Sequence, residues 1–330
     1  DMCNGTIMDK LISFSVPLML SGILQLMFNA VDIIVVGRFA GSQSLAAVGS
    51  TTALINMFVN LFIGVSLGAN VLAARFYASG KHKEMSETVH TAITFAAISG
   101  VVMALIGVLM AKPALELMGT PDDVINLSTL YMRIYFLGMP FFMLYNYGAA
   151  VLRAVGDTKR PLIFLIAAGI INACLNMVLV IVFNLGVAGV AIATIFSQFI
   201  SCVLVLRCLN KTDASYQLRF SKLKIKGYYL KQIFQVGIPA GIQSTVINFS
   251  NALLQSSVNS FGSTAMAGYT AANNILGFLY ASINSVTQAC MSFTSQNYGV
   301  RKFKRMDKVL IDCAILSVGA SLVFLSLIHI

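Results

Sequence analysis

The segment that determines the fold is residues 14–40, FSVPLMLSGILQLMFNAVDIIVVGRFA, because it returns in altered form at residues 236–262 as VGIPAGIQSTVINFSNALLQSSVNSFG. The pairs matched at one constant spacing include Pro17 with Pro239, Asn29 with Asn251 and Phe39 with Phe261. An internal repeat of this length predicts two copies of one structural unit. The copies differ at Asp32, which falls opposite Leu254.

The composition predicts that the repeated unit lies in a membrane. Hydrophobic residues make up 58% of the 330 positions, charged residues make up 10%, and the mean hydropathy is +0.83. A soluble domain has about a quarter of its residues charged, so a surface this apolar needs lipid as its solvent. Nine apolar stretches reach the roughly 20 helical residues that cross a bilayer. They are residues 11–36, 45–73, 88–111, 127–151, 162–183, 187–206, 232–260, 265–294 and 309–330.

The basic residues indicate how the chain is oriented. The net charge is +10, and all but three of the 22 Lys and Arg residues lie at the amino end or in the loops after the second, fourth, sixth and eighth spans. The exceptions are Arg38, Lys112 and Arg133. Because cytoplasmic loops carry the excess of basic residues, we expect a multi-pass protein of the lipid bilayer with a cytoplasmic amino terminus. The charge then reflects topology, and we expect no nucleic-acid partner.

The number of spans between the copies fixes their relative orientation. Six spans separate the two starts, so both copies run the same way through the membrane, as in parallel repeats related by an axis along the membrane normal. We predict an all-α polytopic helical bundle with an N-terminal lobe at 1–207, a cytoplasmic linker at 208–231 and a C-terminal lobe at 232–330. A doubled six-span unit would need roughly 430–450 residues, so the second lobe is expected to be incomplete here. The linker could be a plain connection or a basic amphipathic surface helix.

Asp32 is the acid within the first apolar span. An ionised carboxylate in hydrocarbon costs several kcal/mol, so such a residue faces a cavity or a partner. One interpretation is a carboxylate that binds and releases a proton or another cation. The other is an interfacial acid paired with Arg38, six residues further along the span.

Polar residues of two other spans lie at the depth of Asp32. Asn172 and Asn176 are four residues apart and therefore share one face of the fifth span. Counted from the turn near Asn184, Asn176 and Thr194 both lie roughly 10–12 Å from the outer surface. With Asp32 these side chains could form a cation or proton site, with Na⁺ as the possible metal. They could equally be hydrogen-bonding glue between helices.

Other chemistry along the chain is sparse. The six cysteines contain no CxxC pair and the three histidines are scattered, which argues against a disulfide framework, a metal knuckle or a bound cofactor. A membrane-embedded enzyme needs converging His, Cys or paired acids, and only Asp32 and Asp312 are candidates, so we do not expect an enzyme. Pro17 and Pro239 interrupt otherwise regular spans, and each predicts either a hinge or a static bend.

Five motifs in order resemble those of the multidrug and toxic compound extrusion (MATE) family. They are VPL at 16–18 with VDIIVVGR at 31–38, LAAVG at 45–49, LRAVGDTKRP at 152–161, LGVAGVAIAT at 185–194 and SQNYG at 295–299. The resemblance covers essentially the whole chain. It implies twelve helices in two six-helix lobes that form a V, so this chain would stop after about nine helices. It also implies that Pro17 is the proline at which the first helix bends.

The resemblance implies a set of site residues in this chain. The family's first-helix acid falls on Asp32, and its first-lobe polar cluster falls on Asn172, Asn176 and Thr194. Asn176 stands where proton-coupled members often have a second carboxylate, and it cannot titrate. The seventh span has Ile247 and Asn248 in the region where some sodium-coupled members place an acid. The coupling ion, H⁺ or Na⁺, is therefore left open.

The sequence thus predicts a secondary active antiporter of the inner cell membrane, monomeric and coupled to H⁺ or Na⁺. It would export small amphipathic, cationic drugs or toxic metabolites. One alternative is a flippase for a lipid-linked precursor, which a cavity rich in Arg would favour. The other alternative is that the truncated chain is itself inert.

Overall fold

The computed structural model describes residues 2–259 and 263–329, and within these ranges all regular structure is helical. The predicted all-α bundle is therefore confirmed. Phe261, one of the repeat matches, lies outside the described residues, and so does the side chain of Asn248.

Ten long helices follow one another along the chain. They are α1 (Met8–Val35), α2 (Ser42–Ala78), α3 (His82–Leu117), α4 (Asp122–Leu137), α5 (Met139–Ala154), α6 (Lys159–Asn176), α7 (Gly186–Lys211), α8 (Gly227–Asn259), α9 (Ser263–Gly299) and α10 (Phe303–His329). The end of the bundle that holds the start of α1 and the loops 79–81, 155–158, 212–226 and 300–302 is called the basic end below. The other is called the opposite end.

Six of the nine predicted spans are long and apolar enough, among the described residues, to cross a membrane. Five are single helices with any helical turn appended to them, and the sixth is the bent pair of α4 and α5. These six correspond to the predicted N-terminal lobe. The helices α8, α9 and α10 have 33, 37 and 27 residues, which is sufficient length for a span. That they cross the membrane stays a prediction, and so do the lobe and linker boundaries at 207 and 231.

The structure corrects the fourth span, which the sequence predicts as one helix at 127–151. Two helices, α4 and α5, meet at Gly138 and are bent by 46°. Pro140 has no N–H to donate to the carbonyl of Phe136, so the helical ladder cannot continue through it. The N–H groups of Phe141 and Phe142 instead donate to the carbonyl of Gly138, both at 3.1 Å.

The linker contains no basic amphipathic helix, so that alternative is wrong. Only a 3₁₀ turn, Phe220–Lys222, lies between α7 and α8. The chain is instead held against α3, where the Arg219 N–H donates to His90 Nε2 at 3.1 Å and the Lys226 N–H donates to Thr91 Oγ1 at 3.3 Å. These side chains satisfy linker backbone groups that a helix would otherwise pair internally.

The two copies of the repeat pack crosswise on each other. The helix α1 packs on α9, and α2, its neighbour in the first copy, packs on α8, the partner of α9 in the second copy. This reciprocal arrangement is the one that a parallel repeat predicts. The crossing of α2 and α8 is tight, because a Cβ at Gly64 would lie 2.2 Å from the Cα of Gly241 and a Cβ at Gly68 would lie 2.1 Å from the carbonyl oxygen of Ile233.

Buried polar contacts join the copies toward the basic end. The Ser292 hydroxyl on α9 donates to Asn70 Oδ1 on α2 at 3.1 Å. The same part of α9 is also joined to α5, where Gln296 Nε2 donates to the carbonyl of Ala154 at 2.7 Å. Apolar packing continues this contact, with the rings of Phe14 and Phe293 edge to face at 5.7 Å. In the opposite half of α8, by contrast, Leu253 and Leu254 are each 55% exposed. The two copies are therefore packed against each other toward the basic end.

Gly64→Val should destabilise the protein by about 1–3 kcal/mol, because the branched side chain would force α2 and α8 apart. The measurement is the thermal unfolding midpoint of the purified full-length protein in detergent. Gly49→Val is the matched control, since Gly49 lies on the same helix with no neighbouring atom within 4 Å of a Cβ. Equal shifts in the two variants would contradict the tight crossing.

Candidate functional site

Asp32 lies in the last turn of α1, and its side chain is half-buried. Its Oδ1 atom accepts a hydrogen bond from the Nδ2 group of Asn176 on α6. Neither Asp32 nor Arg38 is a member of the ion pairs seen in the described part of the chain, which include Lys112–Glu116, Arg160–Asp157 and Lys226–Glu87. The interpretation of Asp32 as an interfacial acid paired with Arg38 is therefore wrong.

The structure brings all four predicted site residues into one hydrogen-bonded network. Asn176 Nδ2 also donates to Asn172 Oδ1 at 3.1 Å, and Asn172 Nδ2 donates to Thr194 Oγ1 at 3.4 Å. Thr194 Oγ1 donates in turn to the carbonyl of Val190 at 3.0 Å. The network links α1, α6 and α7, and both asparagines are buried. Whether it binds a cation stays a prediction.

The carbonyl oxygen of the Asn176 side chain is buried and has no hydrogen-bond partner among the described residues. The Nδ2 group of this amide already serves both Asp32 and Asn172. A buried acceptor without a donor costs about 1–3 kcal/mol. Side chains that served only to hydrogen-bond neighbouring helices together would not need to bear this cost. The cluster therefore offers a carboxylate, two amide oxygens and a hydroxyl, the hard oxygen donors that alkali and alkaline-earth cations prefer.

Two of the three helices that hold the cluster, α1 and α6, change their winding directly after it. The helix α1 passes into a π-helical turn, Val36–Ala40, and α6 passes into another, Met177–Val182. The two turns contact each other. Such turns are rare and occur frequently at functional sites. The sequence gives no cue for them, since both segments read as ordinary apolar helix.

Two tyrosines on α4 were also missed by reasoning from the sequence. Tyr131 and Tyr135 lie within electrostatic range of Asp32, and Tyr135 makes a side-chain hydrogen bond with Gln198 on α7. Their rings lie 6.2 Å apart. Their spacing of four residues indicates one shared helix face, but not that this face lies within electrostatic range of Asp32.

The two predicted hinge residues differ in their surroundings. Pro17 is buried within α1, and the Ser21 hydroxyl donates to its carbonyl at 2.8 Å. Pro239 is exposed within α8, between the tightly packed Gly237 and Gly241. Both helices run through their proline without a break. A hinge role for either residue stays a prediction.

The comparison with protein families matches both copies of the repeat. A family model described as MatE covers residues 17–178 and 239–330, so each matched segment begins at one of the two prolines. The chain belongs to the MatE family. The predicted resemblance is thereby confirmed for most of the chain, and this family is one of membrane transporters with transmembrane helices.

Named relatives of this MatE chain are bacterial. The chain is 33% identical over 306 residues to the probable multidrug resistance protein YoeA of Bacillus subtilis, a match that covers 90% of this chain and 66% of YoeA. It is 28% identical over 307 residues to the probable multidrug resistance protein YpnP of the same organism, which covers 93% of this chain and 68% of YpnP. The chain thus spans about two thirds of the length of these relatives.

Solved structures show the same fold. A multidrug resistance MATE family transporter of the MOP superfamily in an outward-facing conformation superposes with a TM-score of 0.93 at 22% identity. The superposition covers 99% of this chain and 73% of that one. The polytopic helical fold is therefore shared over the full length of this MatE chain.

Asn176→Ala should lower the free energy of unfolding by about 1–3 kcal/mol, because it leaves the Asp32 carboxylate and the Asn172 oxygen without their donor. The check is thermal unfolding of the purified full-length protein. Ile170 lies on the same helix and is 58% exposed, so Ile170→Ala should change the unfolding midpoint much less. A larger loss in Ile170→Ala would contradict a network that holds three helices together.

Proposed function

We propose that the intact protein is a secondary active antiporter that exports small amphipathic, cationic compounds in exchange for H⁺ or Na⁺. The observation that carries this proposal is the network around Asp32, in which a membrane-embedded carboxylate meets three uncharged oxygen donors. The family supports it, since two relatives are named as probable multidrug resistance proteins. The protein would lie in the inner cell membrane as a monomer with its basic end in the cytoplasm, because basic loops stay on that side.

Ion binding at this network would change the charge of one buried group. A proton on Asp32 or a Na⁺ held between Asp32 and the Asn176 oxygen removes the cost of an isolated carboxylate in a low-dielectric bundle. The ion can shift a conformational equilibrium only as far as it binds one state more tightly than the other. The two π-helical turns that contact each other beside the network are the elements whose packing the ion would alter.

The helix α1 would transmit that change to the basic end of the bundle. Asp32 lies near one end of α1, and Phe14 near the other end packs on Phe293 of α9. Pro17 lies between them, where its missing N–H leaves the Ser13 carbonyl without its helical donor. Bending at Pro17 would allow the Asp32 half to move while the Phe14 half stays packed. Pro239 would act in the same way in α8.

The flippase alternative has less support. Recognition of a lipid-linked phosphate precursor would call for several Arg side chains within the spans. Among the described residues, Arg38 and Arg133 are the two arginines outside the basic end. No hydrogen bond or ion pair joins either of them to the Asp32 network in the described part of the chain.

Asp32→Asn should abolish ion-driven export while the protein still folds, since the amide keeps the size of the side chain but cannot carry the exchanged charge. The measurement is efflux of a fluorescent cationic dye from proteoliposomes of the full-length protein under an imposed pH or Na⁺ gradient. Asp9→Asn is the control, because Asp9 is an exposed acid at the other end of the same helix. Efflux in Asp32→Asn equal to that of the unsubstituted protein would sink the role assigned to Asp32. Export by the unsubstituted protein under neither gradient would sink ion coupling.

Pro17→Ala should slow export and leave ion binding intact, because the restored N–H can bond to the Ser13 carbonyl and stiffen α1. Two quantities are measured in the same proteoliposomes: the initial export rate, and the ion concentration that gives half of the maximal rate. Pro113→Ala, within α3, is the matched control. An unchanged export rate in Pro17→Ala would favour a static bend over a hinge.

A further inference from the structure

The linker between α7 and α8 carries a run of basic residues that has no part in the Asp32 network. Residues 219–226, called the linker patch below, read RFSKLKIK and contain no acid. The basic residues are Arg219, Lys222, Lys224 and Lys226. In the described part of the chain Lys226 forms an ion pair with Glu87 on α3, whereas Lys222 and Lys224 form none. Arg219 Nε donates to a neutral oxygen, Gln217 Oε1, at 2.9 Å. The linker patch is therefore a surface of net positive charge.

Apolar side chains lie at the surface among these charges. Phe220 is 56% exposed, and Leu223 is also exposed. No residue of the 3₁₀ turn Phe220–Lys222 is buried. At the start of α8, Tyr228 is 69% exposed. Basic residues interspersed with exposed Phe, Leu and Tyr side chains are typical of segments that lie in the headgroup layer of a membrane.

The linker patch is fixed on the bundle at both of its ends. Directly before it, Leu218 is fully buried, and its carbonyl accepts a hydrogen bond from Asn210 Nδ2 at 2.8 Å. Directly after it, Tyr229 is buried, and its ring packs edge to face on that of Phe76 at 5.9 Å. The hydrogen bonds to His90 and Thr91 described above hold the backbone between these two points against α3. The exposed side chains therefore occupy a defined place on the molecule.

The helix α3 shows where the lipid lies relative to this place. This helix is long and apolar enough to cross a membrane. In its middle it exposes a stripe of large apolar side chains, and because the family is one of membrane transporters, this stripe faces lipid tails. The stripe consists of Ile98, Val101, Val102, Leu105, Ile106, Leu109 and Met110. Toward the basic end, by contrast, residues 84–97 of the same helix include no exposed residue.

The linker patch covers α3 in line with the lipid-facing stripe. Thr91, whose hydroxyl accepts the Lys226 N–H, precedes Ile98 by seven residues, Val102 by eleven and Leu109 by eighteen. With 3.6 residues per turn, these spacings return to the same side of a helix. The stripe begins about 10 Å from Thr91, in the direction of the opposite end. The linker patch therefore lies on the headgroup side of the helix face that contacts lipid tails.

We propose that the linker patch binds the headgroups of anionic phospholipids in the surrounding bilayer. Arg219, Lys222 and Lys224 supply the positive charge, and Phe220 and Leu223 pack between the headgroups. Lipid is the occupant that fits, because the charge is complementary and the patch adjoins a lipid-facing stripe. A cluster of basic residues beside a membrane span favours anionic lipid in this way. The inference goes beyond the proposed antiport and does not rest on it.

The test places a fluorescent reporter in the linker patch as Phe220→Trp, in the full-length protein in nanodiscs of phosphatidylcholine. The 330 residues contain no tryptophan, and the unsubstituted protein supplies the background. Quenching by phosphatidylglycerol brominated in its acyl chains is compared with quenching by phosphatidylcholine brominated in the same way. We expect stronger quenching by phosphatidylglycerol at low salt and a smaller difference at high salt, because salt screens exposed charges.

Two outcomes of this measurement would overturn the proposal. One is equal quenching by the two brominated lipids at low salt, which would show that the linker patch does not select negative headgroups. The other is strong quenching by aqueous iodide with none by either lipid. That result would show a surface that faces water and is open to a soluble partner instead of lipid.

Lys222→Gln and Lys224→Gln, each combined with the reporter, should lower the preference for phosphatidylglycerol about fivefold, since each removes one positive charge near the membrane surface. Lys222→Arg keeps the charge and should keep the preference. Lys81→Gln and Lys83→Gln are the matched controls, because they remove exposed lysines of the same spacing at the start of α3, and Lys83 lies about 12 Å along the helix from Thr91.

Equal unfolding midpoints in all of these variants would show that the linker stays folded on α3. An undiminished preference in both Lys222→Gln and Lys224→Gln would overturn the assignment of the linker patch. An equal loss in the variants of Lys81 and Lys83 would also overturn it, because the preference would then follow from the charge of the whole basic end.

Discussion

The hydrogen bond from Asn176 to Asp32 is the polar constraint that fixes how α1, α6 and α7 lie relative to one another. A carboxylate within a bundle of apolar helices needs a donor, and an amide on α6 supplies it only if α1 and α6 hold one fixed depth relative to each other. The amide is fixed in turn by Asn172, and Asn172 reaches Thr194 on α7. Three helices are therefore held in register by polar atoms, while the apolar residues around them would tolerate several alternatives.

The internal repeat explains how the helices around this polar site pack on each other. The crosswise packing of α1 on α9 and of α2 on α8 treats the two copies alike, and small residues at Gly64 and Gly241 allow the backbones to touch. The copies diverge at the positions of Asp32 and Leu254. Asp32 is half-buried in a polar network, and Leu254 is an exposed apolar side chain. The features that the two copies share thus form the packed bundle, and the candidate site lies at a position where the copies differ.

Reasoning from the sequence succeeded where the answer depends on distance along a helix. Asn176 and Thr194 could be matched in depth to Asp32 because the helical rise is constant and the turn near Asn184 gives an origin. It failed where the prediction depends on which faces of the helices pack together. Nothing in the sequence indicates that Tyr131 and Tyr135 lie within electrostatic range of Asp32, or that His90 on α3 accepts a hydrogen bond from the linker at Arg219. The bend at Gly138 is an intermediate case, since Pro140 marks it but prolines at 17 and 239 leave their helices continuous.

The helices α1 and α6 each connect the two places in the molecule where polar chemistry concentrates. α1 has Lys10 at the basic end and Asp32 in the network, and α6 has Lys159 and Asn176 at the corresponding ends. Two helices that pack on each other, as α1 and α6 do, cannot tilt relative to each other without changing those contacts. A helix interior is stiff, so a tilt imposed at one end is felt at the other unless a hinge such as Pro17 absorbs it. The position of that proline, between Lys10 and Asp32, therefore decides how strongly the two ends of the bundle can influence each other.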